Sequence, residues 1–270
     1  MKLILEILFK QLYRFISESV YRKFILLALK FGRSNRFVKK SITLFGKKFW
    51  VVDTYSFIWQ FKEIFVDQNY NFNSASDRPI IYDCGSNVGT SCLYFSRLYP
   101  QCKIHAFEAD PDVYSVLMQN IKSYGMTNVT AYNKAVWKDD DGVKISQSGA
   151  DGSSMFTEGK KIVVQSIRLS ELLRKEEIVD LLKIDIEGAE YEVLSDCKNS
   201  LNKVNNIFLE YHSYLNGEQK LGEILKIFEQ SGFRYFIRQE ADRNTPFIDR
   251  KIKSNPTLDL QLNIYAYREQ

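Results

Sequence analysis

The strongest constraint on this chain is the rhythm that begins at Pro79, where short apolar runs alternate with longer amphipathic stretches. Repeated strand–helix–strand crossovers of this kind require a mostly parallel sheet with helices on both faces. Strands are expected at 80–83, 103–108, 129–133, 179–185, 207–212, 233–237 and 261–267, and helices at 89–98, 112–124, 189–196 and 221–231. The fold class is α/β, doubly wound, with a helical N-terminal extension. An insertion at 137–166, rich in Asp, Gly, Ser and Lys, reads as a hairpin whose loop folds over a site.

The 270 residues divide into a basic extension (1–68), a polar linker (69–78) and the α/β domain (79–270). Charge follows the same division. Residues 1–48 hold twelve Lys/Arg against Glu6 and Glu18, a net +10, which leaves −6 for the remainder of a chain with net charge +4. Lys2, Glu6, Lys10, Arg14, Glu18 and Arg22 interrupt the N-terminal apolar residues too often for a membrane span or a signal peptide. The spacing predicts an amphipathic helix instead, then a second at 21–31, a hairpin at 41–53 turning at Gly46, and a helix at 56–66 burying Trp59, Phe61 and Phe65. Cys84, Cys92, Cys102 and Cys197 form no C-x-x-C pair or Cys/His cluster, so reduced thiols and a cytoplasmic setting are expected.

The first strand of the domain runs into Asp83-Cys84-Gly85-Ser86-Asn87-Val88-Gly89-Thr90. Glycines there let the backbone turn tightly and approach a ligand, at the edge where open α/β sheets bind nucleotide-like molecules. Glu108 ends the second strand, 23 residues beyond Gly85, the distance at which an acidic side chain commonly meets ribose hydroxyls. Asn87 and Thr90 stand where a dinucleotide loop has its second and third glycines, and Asp83 adds a charge repulsive to diphosphate. The combination favours S-adenosylmethionine, which carries a cationic sulfur and no phosphate.

With these residues the chain resembles class I S-adenosylmethionine-dependent methyltransferases, more narrowly the FkbM family. The resemblance rests on D-x-G-x-N-x-G (Asp83 to Gly89), F-E-x-x-P (Phe107 to Pro111), Asn133-Lys134-Ala135-Val136, Asp151-Gly152-Ser153-Ser154 and Ser166 to Leu172. It continues through Leu182 to Glu190 and Leu209-Glu210-Tyr211-His212, and spans about 79–240. It implies a seven-stranded Rossmann-like sheet and methyl transfer, usually to an oxygen of a small molecule or glycan precursor. By position it implies that Asp83, Gly85, Asn87, Gly89 and Thr90 surround the cofactor and Glu108 holds its ribose. Ala135 and Val136 would lie near the adenine, and Asp185 would face the methyl-bearing sulfur.

Asp185 and Glu187 end one strand, and Glu210 and His212 end the next, each pair on one face of extended chain. His212 is expected to be the general base, with Glu210 as its orienter or the alternative base. Glu187 and Glu190 are read mainly as braces of the helix that follows. The same carboxylates and imidazole suit Mg²⁺ or Mn²⁺, yet nothing in the sequence requires a chelated acceptor, so no metal is expected. The acceptor is a sugar or a glycosylated or lipid-linked small molecule. An NAD(P)-dependent oxidoreductase and a non-catalytic adaptor are the alternatives, and no nucleic-acid partner is expected because the body lacks a basic groove. The stripe in residues 1–48 fits either peripheral contact with the inner membrane face or packing on this chain or a second copy in a homo-oligomer.

Overall fold

The computed structural model describes residues 2–146, 161–240 and 245–269, with side chains from Phe9 onward. The chain divides into two compact units, Met1–Asn71 and Phe72–Gln270.

In the first unit, helices α1 (Lys2–Ser17) and α2 (Ser19–Phe31) are separated at Glu18. Strands β1 (Lys40–Leu44) and β2 (Lys47–Val51) form a hairpin through Phe45 and Gly46, the latter at φ +83°. Helix α3 (Thr54–Phe61) starts where the Asp53 carboxylate accepts the Tyr55 N–H at 3.2 Å, and it runs into a π-helical turn, Lys62–Val66. The core is aromatic: Phe49, Phe57, Phe61 and Phe65 are buried, with Phe61 stacked on Phe65 at 5.0 Å. Trp59 does not join it and is 45% exposed. Phe57, Ile58, Phe61 and Phe65 recur at helical spacing, which leaves position 59 on the other side of the stripe. No helix among the described residues is long and apolar enough to cross a membrane.

The second unit alternates strands and helices: β3 (Ile80–Cys84), α4 (Thr90–Leu98), β4 (Lys103–Phe107), α5 (Pro111–Tyr124) and β5 (Val129–Tyr132). Four short strands follow: β6 (Ala135–Trp137), β7 (Val143–Ser146), β8 (Lys161–Val164) and β9 (Ser166–Arg168). The chain then forms α6 (Leu169–Lys175), β10 (Val179–Ile184), α7 (Glu190–Cys197), β11 (Val204–Tyr214), α8 (Leu221–Gln230), β12 (Arg234–Gln239) and β13 (Leu258–Tyr267). Seven strands make one sheet in the order β12-β13-β11-β10-β3-β4-β5, in which only the β13 pairings are antiparallel. The sheet is thus Rossmann-like and mostly parallel. Strand β10 is buried at every position, as the centre of such a sheet demands. Strands β7 and β8 pair antiparallel, as the hairpin reading expects; the loop between them, with Asp151 to Ser154, lies outside the described residues.

Part of the stretch expected to be a linker belongs to this unit. The Phe72 ring lies 5.3 Å from that of Tyr99, whose hydroxyl donates to the Phe72 carbonyl at 2.9 Å. The Ser74 hydroxyl donates to Asp180 at 2.7 Å, and the other Asp180 oxygen accepts the Ile80 N–H at 2.9 Å. One buried carboxylate on β10 therefore fixes both the approach to β3 and its first residue. Replacing it strands two donors, and charged hydrogen bonds contribute about 1.5–3 kcal/mol. Asp180→Ala should lower unfolding free energy by about that amount in urea denaturation and speed amide exchange at 72–80; an unchanged midpoint would show the clamp carries no stability.

Candidate active site

The sheet order reverses direction between β3 and β10, and the crevice this opens at the strands' carboxyl ends is where the sequence-predicted residues meet. Gly85, Asn87 and Gly89 all have positive φ (+83°, 49° and +87°), so the loop after β3 rests on the residue types that tolerate that region. A Cβ on Gly85 would stand 1.8 Å from the Asp185 carbonyl oxygen, and one on Gly89 would stand 2.6 Å from Leu117 Cδ1. The loop amides of Gly85 and Ser86 both donate to the Phe107 carbonyl, at 3.0 and 2.9 Å.

The Glu108 carboxylate accepts the Asn87 N–H with one oxygen and the Asp110 N–H with the other, each at 2.9 Å. It thereby bridges the loops after β3 and β4, while Asn133 donates to the Glu108 and Ala109 carbonyls at 2.9 and 3.2 Å. Burial pushes the Glu108 carboxyl up to about 7, against the pull of the two amide donors. Thr90 is buried at the start of α4. Of the pair expected near an adenine, Val136 packs into the core and Ala135 stays half-buried.

Asp83 departs from the expected arrangement, because its side chain is wholly enclosed beneath the loop. It accepts from the Ser91 hydroxyl at 2.5 Å and the Cys92 thiol at 3.4 Å, and it pairs with Lys183 at 3.4 Å. Lys183 was not singled out in the sequence reading. Its ammonium donates to the Gly85 carbonyl at 2.9 Å and to Asp185 at 3.3 Å. Burial disfavours its charge, but Asp185 and Asp83 hold its pKa above the ordinary lysine value. A lysine inside the apolar run Val179–Ile184 is the signal that could have found it, since buried lysines are almost always paired.

On the next strands Asp185, Glu187, Glu190, Glu210 and His212 converge. The His212 ring is 2% exposed, with Nδ1 3.0 Å from Glu190 and Nε2 3.4 Å from Glu210 and 3.7 Å from Glu187. Burial opposes its charge, yet Glu187, Glu190 and Glu210 hold the imidazolium well above the ordinary histidine range. A ring so held favours the role of partner to three glutamates over the expected one of general base. Burial also opposes charge on Glu210, but His212 and Gln261 keep its pKa below the ordinary value. Burial, then Glu210, pushes Asp185 up to about 6, and burial pushes Glu187 up to about 8. Asp185 and Glu187 keep 24% and 25% of their side chains exposed, so they are the carboxylates an incoming molecule meets. Glu190 braces as expected, accepting the Ile186 and Gly188 N–H groups at 3.3 and 3.0 Å.

Residues 83–235 match the family described as "Methyltransferase FkbM domain", more than half of the chain. This chain belongs to the FkbM methyltransferase family. The FkbM domain is similar to "Methyltransferase sdnD" of Sordaria araneosa, 32% identical over 184 residues covering 50% of this chain and 66% of that one. The chain thus spans just under two thirds of that relative's length. It is 25% identical over 193 residues to "Hexuronic acid methyltransferase AglP" of Haloferax volcanii, covering 69% of this chain and 79% of that one. The crystal structure of "Methyltransferase FkbM" from Methylobacillus flagellatus aligns over 72% of this chain and 45% of that one, at 16% identity and TM-score 0.46.

Because Glu108 binds its proton more tightly folded than unfolded, its contribution to stability is complete below its ordinary pKa of 4.5 and lost as pH rises to about 7. Denaturation between pH 4.5 and 8 should show a shallower decline in Glu108→Gln than in the native chain. Superimposable pH profiles would place the Glu108 pKa in the ordinary range.

Proposed function

We propose that the FkbM domain transfers a methyl group from S-adenosylmethionine to an oxygen of a sugar, or of a glycosylated or lipid-linked small molecule. The observation that carries this reading is the crevice between β3 and β10. There the Gly85 backbone lies against the Asp185 carbonyl, with the Glu108 carboxylate on one side and the Asp185–Glu210 carboxylates on the other. Its chemistry fits the group: a carboxylate at the end of β4 for the ribose and negative charge for an ammonium and a sulfonium, with no phosphate cradle.

When bound, S-adenosylmethionine supplies an electrophilic methyl carbon. The chain's own residues hold and orient what meets it. Glu108 takes the ribose hydroxyls, the backbone of Gly85, Asn87, Gly89 and Thr90 lines the methionine portion, and Ala135 with Val136 borders the adenine. Asp83 acts through Lys183 and Ser91 as a positioning residue. An acceptor hydroxyl must approach in line and lose its proton, and Asp185 and Glu210 are the carboxylates placed to take it, with His212 fixing Glu210. The name of the Haloferax volcanii relative supports a sugar-type acceptor.

The first unit supports a place for this reaction. Phe9, Leu12, Tyr13 and Ile16 form an exposed stripe on α1, and Leu26 and Leu29 are exposed on α2, within a segment of net charge +10. Apolar side chains flanked by Lys and Arg suit an anionic lipid surface, where a lipid-linked acceptor resides.

Titration calorimetry should show S-adenosylmethionine binding that Glu108→Ala weakens by roughly 10- to 100-fold, the equivalent of a lost charged hydrogen-bond pair. Labelled S-adenosylmethionine incubated with uronic-acid-containing glycans should yield a product heavier by one methyl group in mass spectrometry, and Glu210→Ala should reduce turnover far more than cofactor affinity. A folded protein that binds no S-adenosylmethionine would end the reading. The full chain should also cosediment with phosphatidylglycerol vesicles but not phosphatidylcholine vesicles, with release by salt. A Leu12→Glu, Ile16→Glu variant should remain in the supernatant, and its undiminished sedimentation would remove the membrane role.

A further inference from the structure

We propose that the turn between β12 and β13, with Phe247 and Ile248 at its tip, is a second lipid-contacting surface, one that enters an anionic bilayer at the edge of the sheet where the crevice opens. Phe247 is 94% exposed and Ile248 79%. Arg250, Lys251 and Lys253 follow them in the chain, are exposed as well, and have no ion-pair partner among the described residues. Two apolar side chains set among cations match the make-up of segments that lie in a membrane interface. The hydrophobes enter the acyl boundary while Lys and Arg meet acidic head groups.

Single exposed hydrophobic residues are ordinary, but the backbone builds this tip. Thr245-Pro246-Phe247-Ile248 is a turn closed by the Ile248 N–H, which donates to the Thr245 carbonyl at 2.8 Å. Proline is pre-set for the second position of such a turn, and it leaves the apolar pair at the third and fourth. The Asp249 N–H donates to the same carbonyl at 2.7 Å, and the Thr245 hydroxyl donates to the Asp249 carboxylate at 2.6 Å. The one acidic residue of 245–253 is therefore engaged within the turn, and three cations against it leave the segment at net +2. Ile252, by contrast, is buried, and its N–H donates to the Leu258 carbonyl at 3.0 Å. The fold thus encloses one isoleucine of this segment and leaves the other, with Phe247, in water.

The turn's placement gives the contact its use. Strands β11 and β12 are both antiparallel to β13, so they run the same way, and the chain leaves β12 at the edge where β11 ends. The Leu215 N–H, immediately after β11, donates to the Thr257 carbonyl at 3.0 Å. One residue earlier, the Tyr214 hydroxyl donates to the Glu187 carbonyl at 3.3 Å. These bonds tie the base of the segment to the strand end that carries Glu210 and His212. Resting on the methyl-transfer reading, the consequence is selection of the acceptor: a tip seated in lipid brings the crevice edge to acceptors anchored at that surface and away from those in bulk solution. A tip this small binds weakly by itself, since firm attachment to a membrane takes more than one such signal. Its engagement is therefore read at the tip.

Cys84, Cys92, Cys102 and Cys197 are buried, so Phe247→Cys in the full chain gives one accessible thiol for an environment-sensitive nitrobenzoxadiazole label. On phosphatidylglycerol vesicles its emission should rise and move to shorter wavelength, with reversal by salt and no shift on phosphatidylcholine vesicles. The same label on Lys122→Cys, exposed near the end of α5, should not respond. A Phe247→Glu, Ile248→Glu variant should partition onto phosphatidylglycerol vesicles about tenfold more weakly, with S-adenosylmethionine affinity unchanged. Emission at position 247 that does not move on phosphatidylglycerol vesicles overturns the proposal, as does an equal response at position 122 or equal partition of the double variant. A shift that grows with protein concentration in the absence of vesicles assigns the tip to a second copy of the chain and overturns it too. The outcomes separate the contact from the reading beneath it. S-adenosylmethionine binding with unmoved emission removes the lipid contact and leaves methyl transfer standing, whereas moved emission in a chain that binds no S-adenosylmethionine does the opposite.

Discussion

The Lys183 ammonium, enclosed where the order of the sheet reverses, is the contact on which the rest of the site depends. It lies across the β3–β10 boundary from Asp83, its partner in the strand register, and also reaches Asp185 and the Gly85 carbonyl. Taking an ammonium and a carboxylate out of water costs several kcal/mol per ion, and the cost is offset only where the remaining donors and acceptors are satisfied. Here Ser91 and Cys92 donate to one Asp83 oxygen and Lys183 pairs with the other, while the Gly85 carbonyl and Asp185 accept from the lysine. The consequence is geometric as much as energetic. The loop after β3 cannot rise from the end of β10 without breaking this pair, and the close approach of Gly85 to Asp185 is held in place.

From Lys183 outward two carboxylates, Asp185 and Glu210, stand between the ammonium and His212, with Glu187 and Glu190 around the imidazole. Burial and neighbouring charges together set these pKa values: burial, then Glu210, raises Asp185 to about 6, while the surrounding glutamates overcome burial and raise His212. A site with this excess of carboxylates repels a diphosphate and attracts a cation. The same physics therefore speaks against a dinucleotide and for a sulfonium-bearing cofactor.

The parts of this arrangement legible in the sequence are those encoded locally. Gly85, Asn87 and Gly89 announce a loop with three left-handed residues, and Asp185, Glu187, Glu210 and His212 announce two strand ends with polar tips. What stayed hidden depends on partners distant along the chain. Lys183 and Asp180 read as anomalies in an apolar strand, and their meaning comes from Asp83, Ser74 and Ile80, about 100 residues earlier. His212 reads as a base from its own chemistry, and its pairing with Glu190, the first residue of α7, is not visible in the sequence. Phe72 was masked by the polar composition around it, and Trp59 was assigned to the core on size when its position on the helix placed it outside.

The two sides of the crevice are built under different constraints. On the β3–β4 side the loop contacts are dense: Glu108 accepts two loop amides, Asp83 meets a lysine, a hydroxyl and a thiol, and Gly85 has no room for a Cβ. Substitution there disturbs several contacts at once. On the opposite side the boundary comes from antiparallel β13, which sets Gln261 opposite His212 and Asn263 opposite Glu210. Gln261 donates to Glu210 at 2.5 Å, and beyond it Phe236 and Arg238 are exposed on β12, with the Arg238 guanidinium 5.9 Å from the Tyr265 ring centre. Phe236 also packs on the Tyr265 ring, 6.1 Å between centroids, so the side chains there meet one another as well as solvent. The β3–β4 half is thus fixed by many short contacts at once, whereas Glu210 is tied to β13 by the Gln261 amide.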